Sequence, residues 1–260
     1  MIAIDAHGAG EPLALLHGVG ADREIWRYVV AELASERLVM AADLPGFGDS
    51  PPIGPGFELD RVADALADAL ADQAGGRFDL VGNSLGGAVA LVLARRRPET
   101  VGRLVLGAPA GFSPRPGVVS SVAGRLSGPA VAARRTVGSP LADVGIARRA
   151  MLWGAVARPD QMSGADARAM LQASSRSTRI GAAVTAVLRA DLTAPLEELR
   201  VPLGLIWGER DGIVPIAALH RIRELRPDAV VETIADAAHV PQLECPGEFV
   251  AALRRILAQL

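Results

Sequence analysis

Apolar residues in this chain cluster in short runs separated by stretches where apolar and charged positions alternate every three to four residues. The runs at 13–16, 38–42, 78–81, 103–106, 202–207 and 229–234 read as strands buried on both faces, because they lack the apolar-polar alternation of a half-exposed sheet. The clearest helical stretch between them places Val62, Leu66 and Leu70 on one face and turns Asp64, Asp68 and Asp72 toward solvent. Strands alternating with such helices predict a mostly parallel α/β sheet covered on both sides. His7, among Gly8, Ala9 and Gly10, reads as a hairpin-turn residue, and His220 as a solvated helix residue.

The run ending at Val81 passes directly into Gly82-Asn83-Ser84-Leu85-Gly86 and then into an Ala/Leu-rich stretch closed by Arg95-Arg96-Arg97-Pro98. Arginines complement the dipole at a helix C-terminus, and proline ends the helix. A strand turning sharply into a helix at this point presents the hydroxyl of Ser84 as a candidate nucleophile, with Gly82 and Gly86 keeping the turn free of Cβ atoms. A serine hydroxyl needs a general base and a group that orients the base. Asp211, in the loop after the 202–207 strand, is the candidate carboxylate, and Glu209 and Asp236 lie close enough in sequence to serve instead. His239, in the loop after the 229–234 strand, is the candidate base. In an open parallel sheet these loops leave the same edge and converge.

Together these pieces resemble the α/β-hydrolase superfamily. Leu13-Ala14-Leu15-Leu16-His17-Gly18-Val19-Gly20 looks like the family's first-strand exit loop, Asp43-Leu44-Pro45-Gly46-Phe47-Gly48-Asp49-Ser50 like the loop after its next strand, and His239-Val240-Pro241-Gln242-Leu243-Glu244 like its histidine loop. The resemblance implies that Ser84, Asp211 and His239 form the triad and that the backbone N–H groups of Val19 and Leu85 form the oxyanion hole. His17 and Gly18 would brace that hole. It also implies a sheet of about seven strands. Only one short strand fits before the 13–16 run, where two are usual, so an abbreviated N-terminal edge is expected.

Residues 112–195, between the strands containing Leu106 and Val201, exceed what the sheet can accommodate. The resemblance implies a helical cap there, with the core formed by 1–111 and 196–260. Alanine, arginine and leucine dominate the segment, and prolines and glycines cut it into short pieces. Val118, Val122, Leu126, Met151, Leu152, Trp153 and Met162 are its candidate acyl-pocket residues, or alternatively its own core; of these, Met151, Trp153 and Met162 are the substrate-binding candidates. The segment holds eleven arginines against four aspartates, a net of +7. With −2 for the whole chain, the remainder carries −9. Such a surface either attracts an anionic substrate or acidic carrier protein, or is solvated and paired with the acidic body.

With 260 residues, half of them hydrophobic, the chain suits one α/β domain with an insertion. No apolar run reaches membrane-span length, and the N-terminus lacks a basic leader and long apolar core, so a cytoplasmic location is expected. The single cysteine, Cys245, reads as a packing residue. Four scattered histidines provide no metal-ligand spacing, and no cofactor is expected. Aromatics at 3% leave few platforms for stacking nucleobases.

These readings favour a cofactor-free serine hydrolase cleaving a carboxylic ester through an acyl-enzyme. Within the resemblance, the alternatives are a lactonase or carbon–carbon bond hydrolase on an anionic substrate, and an esterase for carrier-protein-bound acyl chains. Serine at position 84 argues against haloalkane dehalogenation, for which the family uses aspartate. The non-enzymatic alternative is a small-ligand receptor on the same fold.

Overall fold

The computed structural model describes residues 1–112 and 144–260. Seven strands form one sheet in the order β1-β3-β2-β4-β5-β6-β7. These are β1 (Ile4–His7), β2 (Pro12–Leu16), β3 (Leu38–Ala42), β4 (Phe78–Asn83), β5 (Val101–Gly107), β6 (Leu203–Gly208) and β7 (Val230–Ile234). β1 pairs antiparallel with β3, and every other pairing is parallel. The single leading strand at the N-terminal edge agrees with the sequence reading. His7 ends β1 but does not turn a hairpin: β3 lies between β1 and β2, so the consecutive strands are not neighbours.

Alternate strand residues feed two apolar layers. Ala14, Leu16, Met40, Leu80, Leu104, Leu205 and Trp207 face α2 (Leu59–Ala74), α3 (Leu85–Arg96) and α8 (Ala217–Leu225). Leu13, Leu15, Val39, Val81, Val105 and Ile206 face α1 (Arg27–Leu33) and α10 (Pro246–Gln259). Burying both faces is what the unbroken apolar runs require. Val62, Leu66 and Leu70 of α2 are buried as the period-four spacing predicts, while Asp64 and Asp68 pair with Arg96 and Arg97 across the helix surface.

Between β5 and β6 the described residues form α4 (Gly145–Leu152), α5 (Gly164–Arg176), α6 (Ile180–Arg189) and α7 (Thr193–Glu197). This helical insertion leaves the sheet at the edge where the candidate loops gather. Val118, Val122 and Leu126 lie outside the described residues, as do Arg115, Arg125, Arg134, Arg135 and Asp143. Among the described residues, no helix is long and apolar enough to cross a membrane.

Candidate active site

Ser84 stands between the last residue of β4 and the first of α3 with φ +57° and ψ −116°, a backbone conformation that non-glycine residues rarely adopt. Its surroundings impose the strain. Ser84 N–H donates to the Gly107 carbonyl at 2.9 Å, and its own carbonyl accepts from the N–H groups of Ala88 and Ala110, each at 3.0 Å. Three backbone hydrogen bonds hold this strained conformation, a kind of strain that clusters at functional sites. The flanking glycines are obligatory: a Cβ on Gly86 would fall on the carbonyl oxygens of Leu16 and His17, and one on Gly82 on the carbonyl of Gly86.

The loop after β2 runs beside this turn. A Cβ on Gly18 would meet the Cβ of Ser84 at 3.1 Å, so the backbone around Gly18 passes close to the nucleophile candidate. His17 is fully buried; its Nδ1 bonds the Gly18 carbonyl at 2.8 Å, and its Nε2 accepts from Leu44 N–H at 3.0 Å. Both ring nitrogens are therefore committed to backbone, which fits a brace between two loops. Burial lowers the His17 pKa, and the backbone bond to Gly18 and the charge of Asp43 only partly oppose that shift. Asp43 is itself paired with Arg23, which also holds Asp5 and Asp49.

Asp211 and His239 are buried and joined side chain to side chain, Oδ2 to Nδ1, at 2.7 Å. The other carboxylate oxygen of Asp211 accepts from the N–H groups of Ile213 and Val214, both at 2.8 Å, which fixes its orientation. Because an ionised carboxylate only accepts, the proton in the Asp211–His239 bond sits on Nδ1 and leaves Nε2 as the acceptor. The other two carboxylates are engaged elsewhere: Glu209 accepts from the Thr233 hydroxyl, and Asp236 pairs with Arg158 and Arg210.

The side-chain amide of Asn83 donates to the carbonyls of Gly107 at 3.2 Å and His239 at 3.0 Å, so the residue before Ser84 is tied to the histidine loop. Gln242 donates to the Asn83 side-chain oxygen at 3.3 Å. Among the described residues no hydrogen bond joins the Ser84 hydroxyl to the His239 ring; such contacts often tighten only when substrate binds.

Ser84, Leu85 and Val19 line a cavity of about 660 Å³. Ala183, Val184, Val187 and Leu188 of α6 line it as well, as do Phe112, Ile213 and Val214, while Arg189, Asp191 and Arg221 supply charge. Among the described residues the wall does not include the three substrate-binding candidates. Trp153 is 77% exposed at the end of α4, and Met151 and Met162 pack against the apolar layer that includes α1 and α10; none of the three lines the cavity. Alanines and valines on α6 supply the wall instead, and only their spacing along the insertion could have signalled them.

A family model described as "Alpha/beta hydrolase family" matches residues 13–253, nearly the whole chain. The chain belongs to the alpha/beta hydrolase family. It is an enzyme of that fold, and its relatives include esterases. A pimeloyl-[acyl-carrier protein] methyl ester esterase from Chromobacterium violaceum is 32% identical over 96% of this chain and 95% of its own length. A protein of the same description from Aromatoleum aromaticum is 33% identical over 94% and 97%. Among solved structures, a thermophilic esterase from Thermogutta terrifontis superposes with a TM-score of 0.76 at 26% identity, covering 99% of this chain and 93% of that one.

Proposed function

We propose that this hydrolase is a serine esterase acting on an acyl ester, of the class carried on acyl carrier proteins. The observation that carries the chemistry is the Asp211–His239 bond, on a histidine loop tied through Asn83 to the strained turn that bears Ser84.

Ser84 attacks the ester carbonyl while His239 Nε2 takes its proton, and Asp211 stabilises the resulting imidazolium. The backbone amides of Val19 and Leu85 hold the tetrahedral oxyanion; Leu85 N–H belongs to the first turn of α3, where helix geometry leaves donors without intrahelical partners. His239 then protonates the departing alkoxide, leaving an acyl-Ser84 ester. Water activated by the same imidazole attacks that ester, and the acid leaves with Ser84 regenerated. No cofactor enters these steps.

Substrate class rests on two structural features and on the relatives. The α6 wall suits an extended acyl chain, and a cavity of about 660 Å³ lies within the usual range for small-molecule sites. The charge of the insertion suits an acidic carrier: Arg158 and Arg176 pair with Asp236 and Asp22 of the body, whereas Arg189 is exposed, lines the cavity and forms no ion pair among the described residues. The two full-length relatives are esterases of carrier-protein acyl methyl esters by description, which favours the same class here. Residues 112–195 are accordingly proposed as a cap over the site.

The test is a carrier protein bearing a dicarboxylic acyl chain by a thioester at one end and a methyl ester at the other. Mass spectrometry should show loss of the methyl group with the thioester intact. Cleavage of the thioester alone, or hydrolysis restricted to small free esters, would overturn the carrier-ester reading.

A further inference from the structure

The peptide groups around His239 are fixed on every side, and one buried side chain accounts for much of that. Glu244, in the short helix α9 (Pro241–Glu244), turns back on the loop that precedes it. Its Oε1 accepts from the N–H groups of Ala238 at 3.0 Å and Val240 at 3.3 Å, the residues immediately before and after His239. Its Oε2 accepts from Ala157 N–H at 2.6 Å, and Ala157 belongs to the insertion between β5 and β6.

The same turn of the insertion reaches both acid-base loops directly. His239 N–H donates to the Ala155 carbonyl at 3.1 Å, and Gly212 N–H, beside Asp211, donates to the Gly154 carbonyl at 3.1 Å. The His239 carbonyl is taken by Asn83. Residues 154–157 thus bracket the Asp211–His239 pair, and Glu244 binds bracket and histidine loop together.

From this geometry we propose that Glu244 is a positioning residue: it sets the placement of the His239 ring and couples it to the 154–157 turn of the insertion. The role rests on the hydrolase reading for its catalytic consequence, although the placement itself is a property of the fold. Burial makes a carboxylate an expensive choice for a structural tie, and desolvation raises the Glu244 pKa against the lowering effect of its three backbone donors. A carboxylate nevertheless does what no neutral side chain can, since only two acceptor oxygens satisfy donors on both sides at once.

Glutamine separates the two halves of the tie. Its carbonyl oxygen can keep Ala238 and Val240 while its amide turns a donor toward Ala157 N–H, so the insertion bond is lost and the loop bonds remain. Glu244→Gln should lower kcat by a few-fold, and Glu244→Ala by about 10- to 100-fold, with KM for a short neutral ester nearly unchanged. Asp79→Asn is the control for general destabilisation. Asp79 sits near the opposite end of β4, paired with Arg37 and Arg103, and its variant should lose stability while keeping kcat.

The turnover-independent readout is the low-field NMR signal of the His239 Nδ1 proton, which should be sharp in the wild type and broadened or lost in Glu244→Ala. Folded Glu244→Ala with wild-type kcat and an unchanged Nδ1 signal would overturn the proposal, as would a folded Glu244→Gln indistinguishable from wild type in both, should the alanine variant not fold. Wild-type protein that turns over no ester would sink the esterase function alone, because the Nδ1 signal still reports whether Glu244 places the ring.

Discussion

The side-chain amide of Asn83 donates to the main-chain carbonyl of His239 at 3.0 Å, a bond between residues 156 positions apart. It joins the strand end that presents Ser84 to the loop that presents His239, through groups that take no part in the proposed chemistry. Asn83→Ala takes the side-chain donor from the His239 carbonyl in a buried site, while the Gly107 carbonyl keeps the Ser84 N–H, at a cost of about 1–3 kcal/mol. Urea unfolding should show that loss, and kcat should fall with it. Asn83→Asp should be worse than alanine, because a carboxylate would face two carbonyl oxygens.

Asp211→Asn tests the orientation of the pair. One carboxylate oxygen is claimed by the N–H groups of Ile213 and Val214, so an asparagine places its own oxygen there and turns its NH2 toward His239. The ring must then accept at Nδ1 and carry its proton on Nε2, where it cannot take the Ser84 proton. In this variant kcat should fall by roughly 10⁴-fold with little change in fold, the loss seen for the equivalent change in a serine protease triad. Near-normal turnover would return the carboxylate role to Glu209 or Asp236.

His17 predicts an acid-sensitive component of stability. Its folded pKa is depressed below the ordinary value of 6.5, so the folded state holds the neutral ring while the unfolded state takes up a proton. The contribution is present in full above about pH 6.5 and is lost as pH falls toward the depressed folded value. His17→Leu should remove that acid-dependent loss from a plot of unfolding free energy against pH. At neutral pH it should cost about 1–3 kcal/mol, because the N–H of Leu44 loses its acceptor.

Salt separates a carrier-protein substrate from a small one. If the basic insertion steers an acidic carrier, kcat/KM for the carrier-bound ester should fall as ionic strength rises, while that for a neutral short ester stays level. Parallel responses of the two substrates would remove the steering role.

Much of this arrangement is legible in sequence because it depends on main-chain necessities. Gly82 and Gly86 are required by carbonyls that a Cβ would strike, the apolar strands are unbroken because both faces are covered, and the loops of Ser84, Asp211 and His239 meet because their strands run parallel. The cavity wall was not legible. An alanine or valine on α6 carries no chemical signature, and which face of an inserted helix turns inward depends on packing between segments distant in sequence. Bulky Trp153, Met151 and Met162 have the residue types of an acyl pocket but lie elsewhere. Glu244 was visible within the histidine-loop motif, yet its three backbone partners, one of them 87 residues away, emerge only from the folded chain.

The proposed mechanism depends on Ser84 as the nucleophile. The decisive experiment is to incubate the folded protein with a fluorophosphonate and map the adduct by peptide mass spectrometry. A single stoichiometric modification on Ser84 is expected, lost in Ser84→Ala together with ester turnover. A folded wild type that hydrolyses esters while Ser84 stays unmodified, or a Ser84→Ala variant that retains wild-type turnover, would contradict it.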